Sequence, residues 1–591
     1  MKYNTTEFNK AVKYYKKKLD KISFENLYVY GLFNEDAFLS IAPLSRAVHE
    51  LGKDMNVVFK DKKEENVLFD VWETYDDLIK NVVNDKTNAL QEFLKIVDKK
   101  TKSRFSYYLK RPELILTPET DGFEGSISLD YSKDWFAPYK WEKLEKTAKL
   151  IIKNVLALKK KERVGISFVL VKQDSFSDNP LEDVLDSYQI ALSVIKNVLY
   201  KYKLLTIFSQ TNRESMLEFP ERVSELSAAL LGCELSKNID EPVFKAYKKL
   251  SGLLNLKRIK PNNAIFGIRG KGYPGRHIFG ESIGYPTPNK KSRWNSPAGM
   301  MYKFSWYPQS HEDFRKPKSR IGFTSTVPID IFINSVLIDY HEMRKRNKQI
   351  IDIMQASDKI IVKSNIENGC DFEVGLVKKD GTKREVKGSD SDARFLEAPI
   401  YKKQGKSFGM MANIPGGEAF TTPEYLKGKI VGDVVIQLDN SYRLFYEEPL
   451  VINAKKNSYE ILSGPRKIVD KLREKKQESW QKIIEQEENK SVPEKIINLK
   501  KKNFNNIGEF AVNTNPKAKL CNYLIVNEKI ANMIHIALGS GFEPDKATEY
   551  HIDIVIDSPR QKLDIYGIDI SKDESSPGKQ RWIIKDGKFV V

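Results

Sequence analysis

Strand-like and helix-like patterns take turns along the first part of this chain, and that alternation leaves few folds open. Asn26 to Phe33 is a short apolar, β-rich run, which predicts a strand. From Ala42 to Gly52 apolar residues recur at helical spacing, and Gly52 supplies a stop. Met55 to Phe59 predicts a second strand. Strand, helix and strand at this spacing form a parallel α/β layer, because parallel neighbours need a crossover between them. The pattern continues with an amphipathic helix over Lys143–Lys161, a buried-type strand over Val164–Val171 and a helix over Leu181–Lys201. Thr5 to Lys18 reads as a basic helix ahead of the first strand.

Beyond this the pattern changes twice. From about Asn262 to Lys318, Gly, Pro, Arg and aromatic residues dominate and periodicity is lost. Ile333 to Ala356 then predicts a long connecting helix, or a strand end running into one. After it come β-rich runs and turn signals: Ile360–Ser364, Asp380-Gly381 and Ile430–Gln437. A highly charged helix over Gly464–Glu488 interrupts them, and Asp586-Gly587 near the end is a hairpin turn signal. A chain of 591 residues is too long for one core. The expected architecture is an α/β N-terminal domain with a parallel sheet over 1–356, followed by a mainly β (α+β) C-terminal domain over 357–591.

Composition narrows the class. No run of about 18 apolar residues is present, so no membrane-spanning helix and no membrane partner are expected. The opening residues lack the apolar core of a secretory signal. Cys233, Cys370 and Cys521 are scattered, with neither zinc spacing nor a disulfide framework. A reducing, cytoplasmic compartment is expected. The net charge of +18 could reflect a polyanion partner. Much of the excess, however, sits in short runs such as Lys16–Lys18, Lys159–Lys161 and Lys500–Lys502, on mixed-charge helical stretches that read as solvated faces.

Few motifs carry chemistry. Gly270-Lys-Gly-Tyr-Pro-Gly275 has the dinucleotide spacing, but Pro274 lies inside it and no clear helix follows, so it reads as a basic loop. His341-Glu342 begins like a zinc-protease helix, but Lys345 stands where the second histidine is needed. The C-terminal part differs. Of only six histidines, His535 and His551 fall there. His551-Ile-Asp553 alternates like a strand, so His551 and Asp553 share one face and could grip one ion, while Ile552 and Ile554 enter a core. His535 is flanked by isoleucines, a setting in which most histidines are core residues. Glu418 follows Gly416-Gly417 and Glu509 follows Gly508, which permits close backbone approach. Imidazoles with carboxylates suit zinc and its first-row neighbours.

Four segments, in order, resemble the metal motifs of the aminopeptidase T (thermophilic leucyl aminopeptidase, aminopeptidase S) family of dinuclear metallopeptidases. They are Asn413-Ile-Pro-Gly-Gly-Glu418, Ile507-Gly-Glu509-Phe-Ala-Val-Asn-Thr-Asn-Pro516, Asn527-Glu-Lys-Ile-Ala-Asn-Met-Ile-His535-Ile-Ala-Leu-Gly539 and Tyr550-His551-Ile-Asp553. The likeness covers about residue 355 to the end. It is fainter at Ile41–Val48 and Leu337–Met343, and the chain is longer than is usual for the family, with the surplus expected within 90–320.

The resemblance implies a metal-dependent aminopeptidase acting on peptides, with two divalent ions, Zn2+ or Co2+ and also Mn2+. It implies Glu418, Glu509, His535, His551 and Asp553 as their ligands, and a homodimer. Phe542 stands where the family places a tyrosine ligand and has no oxygen to offer. Tyr523 could take its place if folded nearby, whereas Tyr550 should point away from His551 and Asp553. Glu528 is the candidate proton shuttle, set against the commoner reading of a surface glutamate. A reading from another class is a catalytically weakened relative that binds nucleic acid or a ribonucleoprotein. The basic and aromatic stretch Arg269–Lys318 would supply phosphate contacts and stacking.

Overall fold

The computed structural model describes residues 2–60, 113–116, 127, 134–160, 162, 164–171, 180–201, 205–210, 264–269, 320–395, 408–409, 411–456, 458–488, 494–541, 543–546, 548–569 and 580–591. Phe542, the Gly270–Gly275 motif, nearly all of the Arg269–Lys318 stretch and most of the surplus within 90–320 lie outside the described residues. The chain divides into two compact units. The described parts of the first fall within 1–273, 299–333 and 392–412, and those of the second within 334–391 and 413–591.

The first unit carries a sheet that runs, in spatial order, through Arg320–Ser325, Ala264–Arg269, Val164–Val169, Leu205–Gln210, Asp54–Lys60, Asn26–Leu32 and Glu113–Leu116. Neighbours within each half are parallel, as the strand–helix–strand spacing requires. The two halves meet antiparallel, at Asp54–Lys60 against Leu205–Gln210. The sheet is therefore mixed rather than purely parallel. Those two strands are far apart in sequence, so no single crossover helix dictates their direction. Every residue of Val164–Val169 is buried, the pattern of a strand covered on both faces. The rings of Phe38, Phe168 and Tyr188 pack against one another with centroids 5.2–5.5 Å apart.

Helix Glu35–Glu50 begins earlier than its apolar period suggests, because Asn34 caps it by accepting from the Asp36 and Ala37 amides. It ends as expected at Gly52, whose φ of 70° suits glycine. The connector is two helices, Ile329–Val336 and Tyr340–Ala356, not one. Asp339 caps the second through the His341 and Glu342 amides, and that cap marks the break.

The second unit is built on two antiparallel sheets. One runs Tyr459–Ser463, Leu450–Lys456, Tyr425–Gly432, Asp371–Gly375, Lys359–Ser364, Leu563–Ile568, Arg581–Lys585 and Lys588–Phe589. The other runs Val386–Ser389, Glu418–Thr421, Ile507–Asn513, Met533–Gly539, His551–Asp557, Val435–Gln437 and Ser441–Arg443. The β-rich run Ile430–Gln437 turns a corner. Tyr425–Gly432 belongs to the first sheet and Val435–Gln437 to the second, as in packed sheets whose corners are strands that change sheet. Between the sheets lies one core, with Ile360, Val362, Phe372, Val374, Ile430 and Ile452 meeting Phe510, Val512, Ile534, Ile536, Ile552 and Ile554. The terminal hairpin turns on Asp586 and Gly587, both at positive φ (48° and 77°). Among the described residues no helix is long and apolar enough to cross a membrane.

Candidate metal centre

Four neighbouring strands of the second sheet place the site. Their registers pair Glu418 with Asn513, Ala511 with His535, Glu509 with Ala537, Ala537 with Asp553 and Gly539 with His551. Directly opposed residues share a face. Glu418, Glu509, His535, His551 and Asp553 therefore stand on one face, and the intervening Phe510, Ile534, Ile536, Ile552 and Ile554 fill the core on the other. The alternation read in His551–Asp553 extends across all four strands.

One local irregularity makes this possible. Ile507 and Glu509 are two apart and would face the same way in a regular strand. The register slips by one residue between them. This bulge leaves Ile507 in the core and turns Glu509 to the opposite face. Gly508 allows it, since a Cβ there would lie 2.2 Å from the Ser540 carbonyl. At Gly417, φ is 132° and a Cβ would meet Asn515 at 2.7 Å, so glycine also lets the backbone entering Glu418 pass close by.

The five side chains are nearly or wholly buried and their polar atoms converge. His535 Nε2 lies 3.7 Å from Glu418 Oε2 and 3.5 Å from Glu509 Oε1. His551 Nε2 lies 3.2 Å from Glu509 Oε2 and 3.3 Å from Asp553 Oδ1. Glu509 thus faces one histidine with each of its oxygens. Two ligand triads result, Glu418–Glu509–His535 and Glu509–His551–Asp553, each with its donor atoms within 4.8 Å of one another. Glu528 forms a third such group with His535 and Asp553. Its side chain is only 13% exposed, so the surface reading of this glutamate gives way to a place in the cluster. It sits just after the short helix Leu524–Asn527, where position in sequence does not reveal burial.

Sequence reasoning missed three features. Asn513 Oδ1 lies 2.7 Å from His535 Nδ1, and the Ser540 carbonyl lies 2.7 Å from His551 Nδ1. A carbonyl only accepts, so His551 Nδ1 carries a proton, and Nε2 is the nitrogen turned to the carboxylates. The third is Lys529, whose ammonium lies 2.6 Å from Glu418 and 2.8 Å from Glu528. An adjacent Glu-Lys pair looks like a solvated surface pair in sequence, yet the Lys529 side chain is 1% exposed. Tyr550 donates to the Phe504 carbonyl and packs in the core, away from the cluster. Tyr523 is buried.

The electrostatics follow from burying so many acids together. Burial raises the Glu418 carboxyl against the pull of Lys529 and His535. Burial also lifts Glu528 to about 7, opposed by Lys529 and reinforced by Glu418 and Asp553. Burial would lower both histidines. The Glu509 hydrogen bond and the surrounding carboxylates outweigh it at His535, which rises to about 9, and Asp553 with Glu509 does so at His551. Glu509 itself falls to about 2 despite burial, because both histidines bond to it.

With both imidazoles neutral, as ligation requires, four carboxylates would face a single ammonium, an imbalance that a buried site tolerates only with added positive charge, whether protons on the histidines or bound cations. Glu418 Oε2 and Asp553 Oδ1 are buried with no hydrogen-bond partner. Unpaired oxygens and two imidazole Nε2 atoms turned into one space fit divalent cations of the zinc type.

No protein-family model matches this chain, and no curated protein matches it. Among solved structures, wild-type AmpT from Thermus thermophilus is similar at 13% identity and a TM-score of 0.42, over 76% of this chain and 99% of that one. A 2,5-dihydroxypyridine dioxygenase from Pseudomonas putida is similar at 12% identity and a TM-score of 0.43, over 77% and 99%.

Proposed function

We propose that this protein is a metal-dependent hydrolase with a two-ion centre, and specifically an aminopeptidase that removes N-terminal residues from peptides. One observation carries the reading: Glu509 joins two overlapping triads, each containing a histidine and a further carboxylate. A carboxylate shared between two such sets is the usual bridge of a dinuclear site, in which the ions lie roughly 3.5–4 Å apart. Charge supports it too. With both imidazoles neutral as ligands, four carboxylates, Lys529 and two divalent ions would leave the buried cluster with one positive charge, a balance that favours an anionic oxygen. When bound, such ions acidify water and polarise the carbonyl under attack.

The ligands would be Glu418, Glu509 and His535 for one ion, and Glu509, His551 and Asp553 for the other. The donor set favours Zn2+ or Co2+, with Mn2+ also accommodated. Asn513 and the Ser540 carbonyl would fix the two rings and keep Nε2 free to bind. Glu528, buried beside His535 and Asp553, would accept a proton from the attacking water and return it to the departing amine. The neutral amine of a peptide N-terminus could serve as a ligand to an ion held there, which supports cleavage at that end rather than within a chain. The order of the four sequence segments favours this chemistry over other dinuclear hydrolyses.

The test is hydrolysis of leucyl and other aminoacyl reporter amides, with Zn2+, Co2+ or Mn2+ and then with chelator. Metal-dependent release that N-acetylation of the substrate abolishes is expected. No metal-dependent release from any reporter sinks the enzyme reading.

A further inference from the structure

Lys529 is the one lysine buried within this cluster among the described residues, and the ligand assignment leaves it without a role. Its ammonium occupies Glu418 Oε1 at 2.6 Å and Glu528 Oε1 at 2.8 Å. Glu418 Oε2 is left buried, without a hydrogen-bond partner and on the side of His535 Nε2. The lysine therefore divides the two oxygens of one carboxylate between two tasks.

The scaffold fixes that division. The Lys529 carbonyl accepts from the Asn515 amide at 2.8 Å, and the Lys529 amide donates to the Val526 carbonyl at 3.1 Å. Asn515 also donates through Nδ2 to the Gly416 carbonyl at 2.9 Å, two residues before Glu418. Thr514 donates to the Gly417 carbonyl at 2.8 Å. One short segment, Thr514-Asn515, thus ties down both the lysine and the backbone that delivers Glu418. The ammonium cannot leave Glu418 without exchanging a strong charge-assisted bond for nothing, since water does not reach it.

We propose that Lys529 is a positioning residue that restricts Glu418 to single-oxygen ligation and so limits the coordination number and affinity of the ion beside His535. The proposal rests on the two-ion reading of the site. A carboxylate freed of the lysine would turn its second oxygen to the same ion and chelate it. Loss of the neighbouring positive charge would strengthen the attraction as well, for in a buried setting a unit charge a few ångströms away acts with little screening. An ion that is too well satisfied keeps no open position for substrate, so a restrained carboxylate serves catalysis at the expense of metal affinity.

The experiment is cobalt titration of the full chain, followed by absorption spectroscopy and by affinity for each equivalent. The unsubstituted protein is compared with Lys529→Met and Lys529→Gln, which keep the length of the stem and remove the charge. Both variants are expected to bind one of the two ions about tenfold more tightly. Their visible cobalt absorption is expected to weaken, as higher coordination dictates, and turnover to fall. Simple damage to the fold predicts the reverse, looser binding of both ions.

If the unsubstituted protein takes up two equivalents while both variants keep its spectrum and affinities, or bind more weakly, the proposal is overturned and the two-ion reading stands. If the unsubstituted protein takes up no cobalt, the two-ion reading fails and the proposal falls with it. Should neither variant fold, cobalt X-ray absorption of the unsubstituted protein loaded with one equivalent decides. A chelating carboxylate carbon in the shell of an ion held by Glu418 contradicts the proposal, and its absence upholds it.

Discussion

The central strand of the first unit and the four site strands of the second bury their residues for different reasons. Val164–Val169 is covered on both faces and spends nearly all its side chains on packing. Glu418–Thr421, Ile507–Asn513, Met533–Gly539 and His551–Asp557 are also buried almost throughout, yet only one face is apolar. The other holds acids, imidazoles and an asparagine that no apolar core would tolerate unpaired. Equal burial with unequal chemistry separates a strand spent on packing from strands that gather ionisable groups.

The largest expected effect tests the shared carboxylate. Glu509→Gln should lower metal-dependent turnover by about 10³-fold or more and abolish tight binding of both ions rather than one, measured by assay and metal analysis. Retention of one full equivalent would confine Glu509 to a single ion. Next come substitutions that set the two faces of one strand against each other. Ile536→Ala should cost about 2–5 kcal/mol in urea unfolding. His535→Gln, one residue away, should cost less stability in the absence of metal and far more turnover. Phe168→Ala in the first unit should cost about 3–5 kcal/mol, since that ring has core on every side.

Gly508→Ala should be smaller in stability but visible in function. Its Cβ must displace the Ser540 backbone, whose carbonyl orients His551, so turnover should fall by about tenfold. An active, fully metallated variant would show that the bulge is not needed to aim Glu509.

The smallest effect concerns Asp433, at the corner where the chain changes sheet. Burial lifts its carboxyl to about 6, against the Asp557 amide and Gln561, which favour the charged form. A folded value above the unfolded one contributes stability below the unfolded value, and that contribution is lost as pH rises through about 6. Asp433→Asn should therefore be nearly neutral at pH 4 and more stable than the parent by about 1–2 kcal/mol at pH 7, read from urea unfolding at the two values. An advantage that does not grow with pH would contradict this.

Much of the site was legible because strand alternation is a local signal. His551 and Asp553 could be placed on one face from two residues' separation alone, and the ordered segments brought Glu418, Glu509 and His535 beside them. The rest depends on contacts that spacing does not encode. Strict alternation puts Glu509 with Ile507, and only the pairing with Met533–Gly539 reveals the bulge between them. Lys529 and Glu528 carry the signature of a surface pair, and their burial follows from what the Asn515 segment packs against. In the fold, caps at Asn34 and Asp339 shifted a helix start and split a helix, because polar first turns are invisible to an apolar period. The antiparallel junction of the first sheet joins strands distant in sequence, where no crossover rule applies.

The central claim is that Glu509 joins two ion sites. Metal analysis of the purified chain after zinc or cobalt loading and removal of loosely bound ion tests it most directly. The account predicts two equivalents per chain, falling to one in His551→Ala, with chelator removing activity and re-addition restoring it. A saturating value of one or none in the unsubstituted protein would contradict it.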